Sequence, residues 1–187
     1  MKRQKRGEAI VVELLKFIGE DPGRDGLQDT PARVTKSWGE LFDGYKQDPV
    51  KILSRRFDGE NYDSMILLDN IEFHSFCEHH FLPFIGRATV GYIPSRHGGV
   101  VGISKLARLV RCFAHRLQIQ EKMTHDIASA INEALSPLGV GVIITAQHLC
   151  MKLRGIKEQN SRMTTSTLLG VFREQSVKEE FLRLTKH

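Results

Sequence analysis

The order of periodicities along the chain restricts its fold more than any other feature. Two strand-like runs come first, over 65–73 and 84–94, and in the second Phe84, Ala88, Val90 and Tyr92 fall on alternate positions. Alternation puts these four on one face of a strand. Two helical runs follow: Ile103, Leu106, Leu109, Val110 and Phe113, then Ile119, Met123, Ile127, Ile131 and Leu135. Both have the spacing of an amphipathic helix, and Pro137 and Gly139 close the second. Residues 140–150 and 165–172 again read as strands, and 177–185 as a closing helix. Strand pairs on either side of two helices predict an α+β fold, an antiparallel sheet with two helices packed on one face.

Ahead of that pattern the chain reads as helical. Ile10, Val11, Leu14, Leu15 and Ile18 mark a helix over 7–19, and the breakers of 20–26 end it. Thr30 as a cap and Pro31 in the first turn start a second helix, running to about 44 with Val34, Trp38, Leu41 and Phe42 inward. A short third helix is expected over 49–53. The polar run 58–64 reads as a linker, and 95–99 as a turn. The expected division is a helical N-terminal region with a basic tail, 1–60, and a second domain, 61–187.

Charge narrows the choice of partners. The net charge is +5, but Lys2, Arg3, Lys5 and Arg6 carry four of those charges, so the body is nearly neutral. That distribution reads as a solvated, mobile tail, and no nucleic-acid partner is expected. No apolar run approaches the roughly 18–20 residues that span a bilayer, so no membrane partner is expected either. Glu8, Glu13 and Lys16 interrupt any secretory apolar stretch, which makes the expected location cytoplasmic. Cys77, Cys112 and Cys150 are too few and too widely spaced for a disulfide framework. Reduced thiols or a metal fit better, and Cys112 lies in a helical apolar pattern that suits packing.

Chemistry concentrates in two short segments. In Cys77-Glu-His-His80, a tight turn can aim residues three apart at one point; in His148-Leu-Cys150, residues two apart share a face if the segment is a strand. Two thiolates and one neutral imidazole suit zinc, cancel its charge and leave one position for water. Spacing does not fix which imidazole binds. We take Cys77, His80 and Cys150 as ligands and leave His79 and His148 for proton transfer. A closed four-ligand site that includes His148, and histidines unrelated to any metal, are the alternatives. Ser104, Lys105 and Arg108 share one face at a helix N-terminus, where N–H groups and two cations can hold a polyphosphate; taken alone, the pattern is more ordinarily a solvated face opposite the Leu106–Leu109–Phe113 stripe. Arg154 follows Cys150 by four residues, and Arg33 and Lys36 form a weaker pair on the second helix. Gln120 and Glu121 lie on the next helix; a carboxylate can accept the N1–H and 2-amino group of guanine, but the pattern alone does not single Glu121 out from a solvated helical glutamate paired with Lys122 or His125.

Cys77-Glu-His-His80, Gly102-Ile-Ser-Lys-Leu-Ala-Arg108, Gln118-Ile-Gln-Glu121, His148-Leu-Cys-Met-Lys-Leu-Arg-Gly155 and Thr164-Thr-Ser166 with Gly170-Val-Phe172 stand in one order and spacing. That set closely resembles the GTP cyclohydrolase I family, from about residue 20 to the C-terminus. The chain departs from the family's frequent Arg-Arg at His115-Arg116 and its frequent Glu-Arg at Glu121-Lys122.

The resemblance implies a tunnelling fold, a toroidal homodecamer, and conversion of GTP and water to formate and 7,8-dihydroneopterin triphosphate, a first step of pterin or folate synthesis. It implies zinc on Cys77, His80 and Cys150. His79 and His148 would be catalytic, with His79 protonating N7 of guanine to make C8 electrophilic. Ser104, Lys105, Arg108 and Arg154, with Lys36 as a further candidate, would hold the triphosphate. Glu121 would read guanine, with Gln120 beside it as a substrate contact. Sites at subunit interfaces are implied too. The competing expectation is a non-catalytic tunnelling-fold module that binds a purine or pterin.

Overall fold

A computed structural model describes residues 2–57, 62–96 and 98–185. The chain divides into two compact units, Met1–Asp43 and Gly44–His187. The boundary expected at 60/61 and the start of the expected linker, 58–61, lie outside the described residues, as does His97 of the expected turn.

The first unit is a helix pair. Helix α1 (Lys2–Phe17) and helix α2 (Thr30–Leu41) pack through Val11, Leu15 and Pro31. Gly7 permits close approach, since a Cβ there would stand 2.7 Å from Thr35 Cγ2. The basic residues Lys2, Arg3, Lys5 and Arg6 are exposed but helical, not an extended tail. Lys, Arg, Gln and Glu are good helix formers, and Gln4 supports the turn by donating to Glu8. Helix α2 differs from expectation at both ends. Its cap is Asp29, whose carboxylate pairs with Arg33 at 2.9 Å instead of bonding a backbone N–H; it stops at Leu41.

The second unit is α+β, as expected. It runs α3 (Pro49–Ile52), β1 (Arg56–Phe57), β2 (Ile66–Cys77), β3 (Pro83–Ile93), β4 (Val100–Val101), α4 (Ile103–Ala114), β5 (Leu117–Gln118), α5 (Gln120–Leu135), β6 (Gly139–His148), α6 (Leu149–Lys152), β7 (Met163–Gly170) and α7 (Gln175–Leu184). The main sheet has the order β5-β2-β3-β6-β7 and is antiparallel except where β5 pairs parallel to the end of β2. A two-stranded ribbon, β1 with β4, is separate.

One face of the sheet carries the core. Ala88, Val90 and Tyr92 of β3 and Val140, Val142 and Ile144 of β6 are fully buried. Leu106, Leu109 and Val110 of α4 and Met123, Ile127, Ile131 and Leu135 of α5 complete the same apolar cluster. Each such Leu or Ile contributes roughly 1.5–3 kcal/mol of transfer free energy. Tyr92 keeps its hydroxyl satisfied at depth, accepting from the Val101 N–H at 3.2 Å.

The opposite face is covered at one end by the closing segment. Gly91 and Gly141 are cross-strand partners, and their hydrogens point away from the helical layer. Phe172 and Phe181 lie over them edge-to-face, with ring centroids 5.2 Å apart. A Cβ on Gly141 would stand 2.5 Å from Phe172 Cδ1. The two central helices therefore share one face as expected, while α7 belongs to the other.

Candidate metal and catalytic site

Strand register gathers the site at one end of the sheet. The β2–β3 hairpin pairs Phe76 with Pro83, so the segment from Cys77 to Leu82 is its loop. Cys77 closes that loop by donating to Leu82 O at 2.9 Å, and Phe81 donates back to Cys77 O at 2.8 Å. Phe81 sits at φ +57°, a left-handed conformation costly to a side chain with a Cβ. The turn leaves His79 and His80 exposed beside buried Cys77. Across the sheet, Phe84 pairs with His148 at the last residue of β6, and α6 begins at once. Cys150 is thus on a short helical turn, not on the strand face expected for it with His148.

The outcome is a compact donor set. One ligand atom from each of Cys77, His80 and Cys150 lies within 4.8 Å of the other two. Burial pushes the Cys150 thiol up from its ordinary range, and the facing Cys77 pushes it further. Two thiols this close resist joint ionisation unless a cation lies between them. Two sulfurs and one imidazole are a donor set that suits zinc, so these residues fit a divalent metal. His80 Nε2 also accepts from Arg154 Nη1 at 2.8 Å, which brings that guanidinium to the metal group. His79 Nδ1 lies 3.8 Å from Cys77 Sγ, with its ring edge-on to His80.

His148 is fixed on two sides. Its ring stacks on Phe84, centroids 4.6 Å apart and planes 4° from parallel. Its Nε2 lies 2.8 Å from Gln120 Oε1. Burial holds the imidazole below its ordinary pKa, and the Glu121 carboxylate pulls weakly the other way. Gln120 and Glu121 reach this end because β5 runs parallel to β2, with Gln118 level with Cys77, and α5 starts two residues later. Glu121 is exposed, whereas Gln120 is 1% exposed and its side chain is bonded within the protein.

Other candidates lie elsewhere. Ser104, Lys105 and Arg108 occupy the first turns of α4, directly after Val101, which bonds the Tyr92 hydroxyl. Tyr92 lies eight residues along β3 from Phe84, about 26 Å at roughly 3.3 Å per residue. The start of α4 and the Cys-His-Cys group of one chain therefore lie towards opposite ends of β3. Lys36 lies on α2, in the first unit. Sequence patterns did not reveal the stacking role of Phe84 or the hydroxyl pair Thr124 and Thr165, whose Oγ1 atoms lie 2.7 Å apart. Only the register of four strands and one helix brings these groups to the site.

No helix among the described residues is long and apolar enough to cross a membrane. A family model described as GTP cyclohydrolase I matches residues 7–186. The GTP cyclohydrolase 1 of Wolinella succinogenes is 51% identical over 181 residues, covering 96% of each chain. That of Leptospira biflexa is 50% identical, covering 96% of this chain and 97% of its own. That of Rickettsia felis is 52% identical over 189 residues, covering 99% and 98%. A solved structure of an archaeosine synthase QueF-Like in the apo form aligns with a TM-score of 0.46 and 20% identity, over 57% of this chain and 94% of that one. A match over nearly the full length, with the Cys-His-Cys group in place, means that this chain belongs to the GTP cyclohydrolase I family.

Proposed function

We propose that the protein hydrolyses and rearranges GTP to formate and 7,8-dihydroneopterin triphosphate, using zinc held by Cys77, His80 and Cys150. The observation that carries this reading is the convergence of two thiols and one imidazole within 4.8 Å, beside a pinned histidine. Zinc there would supply Lewis-acid activation of water near neutral pH.

The chain's own groups divide the remaining work. His79, exposed beside Cys77, donates a proton to N7 of guanine, which makes C8 electrophilic. His148, whose pKa burial holds below the ordinary histidine value, exchanges protons in ring opening or in the later ribose rearrangement. The Glu121 carboxylate accepts the guanine N1–H and 2-amino group. Arg154 reaches the triphosphate from the metal side. Ser104, Lys105 and Arg108 bind it through hydroxyl, ammonium and guanidinium groups, aided by free N–H groups at the start of α4. Lys36 is a further phosphate contact.

The spacing of these clusters favours a site shared between chains. The start of α4 follows Val101 at the Tyr92 end of β3, whereas Cys77 and Cys150 lie at the Phe84 end, which favours a site completed by the α4 of a neighbour. The sheet also leaves hydrogen-bonding edges for such a neighbour. Strand β5 covers only Phe76 and Cys77 of β2, and β7 lies at the other edge. Edge-to-edge pairing by one repeated rotation closes a ring. We read the second unit as a tunnelling fold in a toroidal homodecamer, with 61–187 as its catalytic domain. A compartment that keeps thiols reduced, the cytoplasm, suits the paired cysteines.

The test is incubation of the zinc-loaded protein with GTP, following formate and pterin absorbance with and without a chelator. We expect one formate per GTP, abolished by chelation and restored by zinc. Metal-dependent GTP binding without formate would overturn the enzymatic reading in favour of a binding module.

A further inference from the structure

Gln120 offers an oriented amide whose orientation is set by backbone. Its Nε2 lies 3.1 Å from Ile144 O, 3.1 Å from Met163 O and 3.0 Å from Thr165 Oγ1. Two of these partners are carbonyl oxygens, which only accept, so the nitrogen must face them. Reversing the amide would set its oxygen against two other oxygens. The Gln120 oxygen is thereby turned to His148 and, being an acceptor, requires a proton on His148 Nε2.

The hydroxyls agree with this polarity. Thr124 donates to Gln120 O at 2.7 Å. It must then accept from Thr165, 2.7 Å away, which leaves Thr165 Oγ1 as the acceptor for Gln120 Nε2. Every proton in the ring has one direction. Phe84 stacking holds the plane of the imidazole, and the bond to Gln120 Oε1 selects the orientation that puts Nε2 there.

We propose that Gln120 is a positioning residue, not a guanine contact: it fixes His148 as the Nε2–H tautomer and so leaves Nδ1 as the nitrogen that exchanges protons with substrate. This rests on the proposed cyclohydrolase reading, which assigns His148 to proton transfer. It departs from the family resemblance in taking the Gln120 side chain out of the substrate pocket, consistent with its 1% exposure.

The experiment combines a nitrogen signature with kinetics on zinc-loaded protein. Histidine labelled with nitrogen-15, assigned to position 148 by its loss in His148→Asn, reports which ring nitrogen carries the proton. The unsubstituted protein is expected to show protonated Nε2; protonated Nδ1 would overturn the proposal with no variant needed. Gln120→Met is expected to lose that signature and lower kcat about 10- to 100-fold, the usual cost of removing an orienting partner, with KM for GTP changed less than about threefold. Gln120→Glu, which keeps an acceptor facing His148, is expected to retain the Nε2 proton and recover part of kcat. A raised KM with kcat and tautomer intact would make Gln120 a substrate contact and sink the proposal. If Gln120→Met does not fold, Gln120→Glu decides: protonated Nδ1 in that variant overturns the assignment. Failure of the unsubstituted protein to release formate would defeat the functional reading alone, because the tautomer is read without turnover.

Discussion

At the scale of single residues, the two sulfurs should govern metal retention. Cys150 is 9% exposed and faces Cys77 and His80, so Cys150→Ser replaces a soft ligand by a poor one. Zinc content after dialysis should fall from about one per chain towards zero, and formate release should vanish with it. An active, metal-free Cys150→Ser protein would remove this residue from the ligand set. His74 gives a second case, through stability. Its ring stacks on His115, 4.7 Å away, and its buried Nε2 has no hydrogen-bond partner. Burial lowers its pKa, and His115 and Arg111 lower it further. As pH falls, the unfolded chain takes the proton first. Stability therefore declines below the ordinary histidine value, and the loss is complete below the lowered folded one. His74→Phe keeps the stack and cannot titrate, so its melting temperature should fall less steeply between about pH 7 and 5. Equal slopes would show that His74 contributes nothing to acid sensitivity. The Cys77–His80 turn was legible because residues three apart meet in any tight turn. The role of Gln120 was not, because its partners Ile144, Met163 and Thr165 lie 24 to 45 positions away.

At the scale of elements, the Gly91–Gly141 pair decides where α7 can rest. Gly141→Ala would put a methyl 2.5 Å from Phe172 and 2.9 Å from Phe181. Overpacking of this kind costs about 1–3 kcal/mol. A chain of this size loses roughly 2–4 °C per kcal/mol, so calorimetry should show a drop of several degrees, with α7 exchanging its amide protons faster. An unchanged melting temperature would mean that the Phe172–Phe181 pair shifts at no cost. The long helices α4 and α5 and the long strands β2, β3 and β6 were readable because each carries several periods of apolar residues. Strands β4 and β5 were not: two residues have no period, and they exist only through Arg56–Phe57 and Phe76–Cys77. The end of β6 was misread for a related reason. His148 and Cys150 fit strand alternation, but the chain coils into α6 after His148, and that turn carries the second sulfur back towards the first.

At the scale of the whole molecule, the separation of the two clusters becomes a prediction about mixing. Cys77, His79, His80 and Cys150 lie at the end of the sheet where Phe84 pairs with His148, while Lys105 lies in the first turn of α4, which follows Val101 beside Tyr92, eight residues along β3 from Phe84. If each substrate bridges two chains, His79→Ala protein has intact phosphate clusters and Lys105→Ala protein has intact catalytic ends. Each variant alone should release little formate. When they are unfolded and reassembled together in equal amounts, random neighbours give about a quarter of sites with an intact half from each chain. Roughly a quarter of normal formate release should therefore return, with zinc content unchanged because neither substitution replaces a ligand. If both halves of a site came from one chain, every site in the mixture would carry a defect and no activity would reappear. Mixing thus distinguishes a composite site from a self-contained one without an image of the assembly, and the position of α4 at the far end of β3 is the reason to expect the composite outcome.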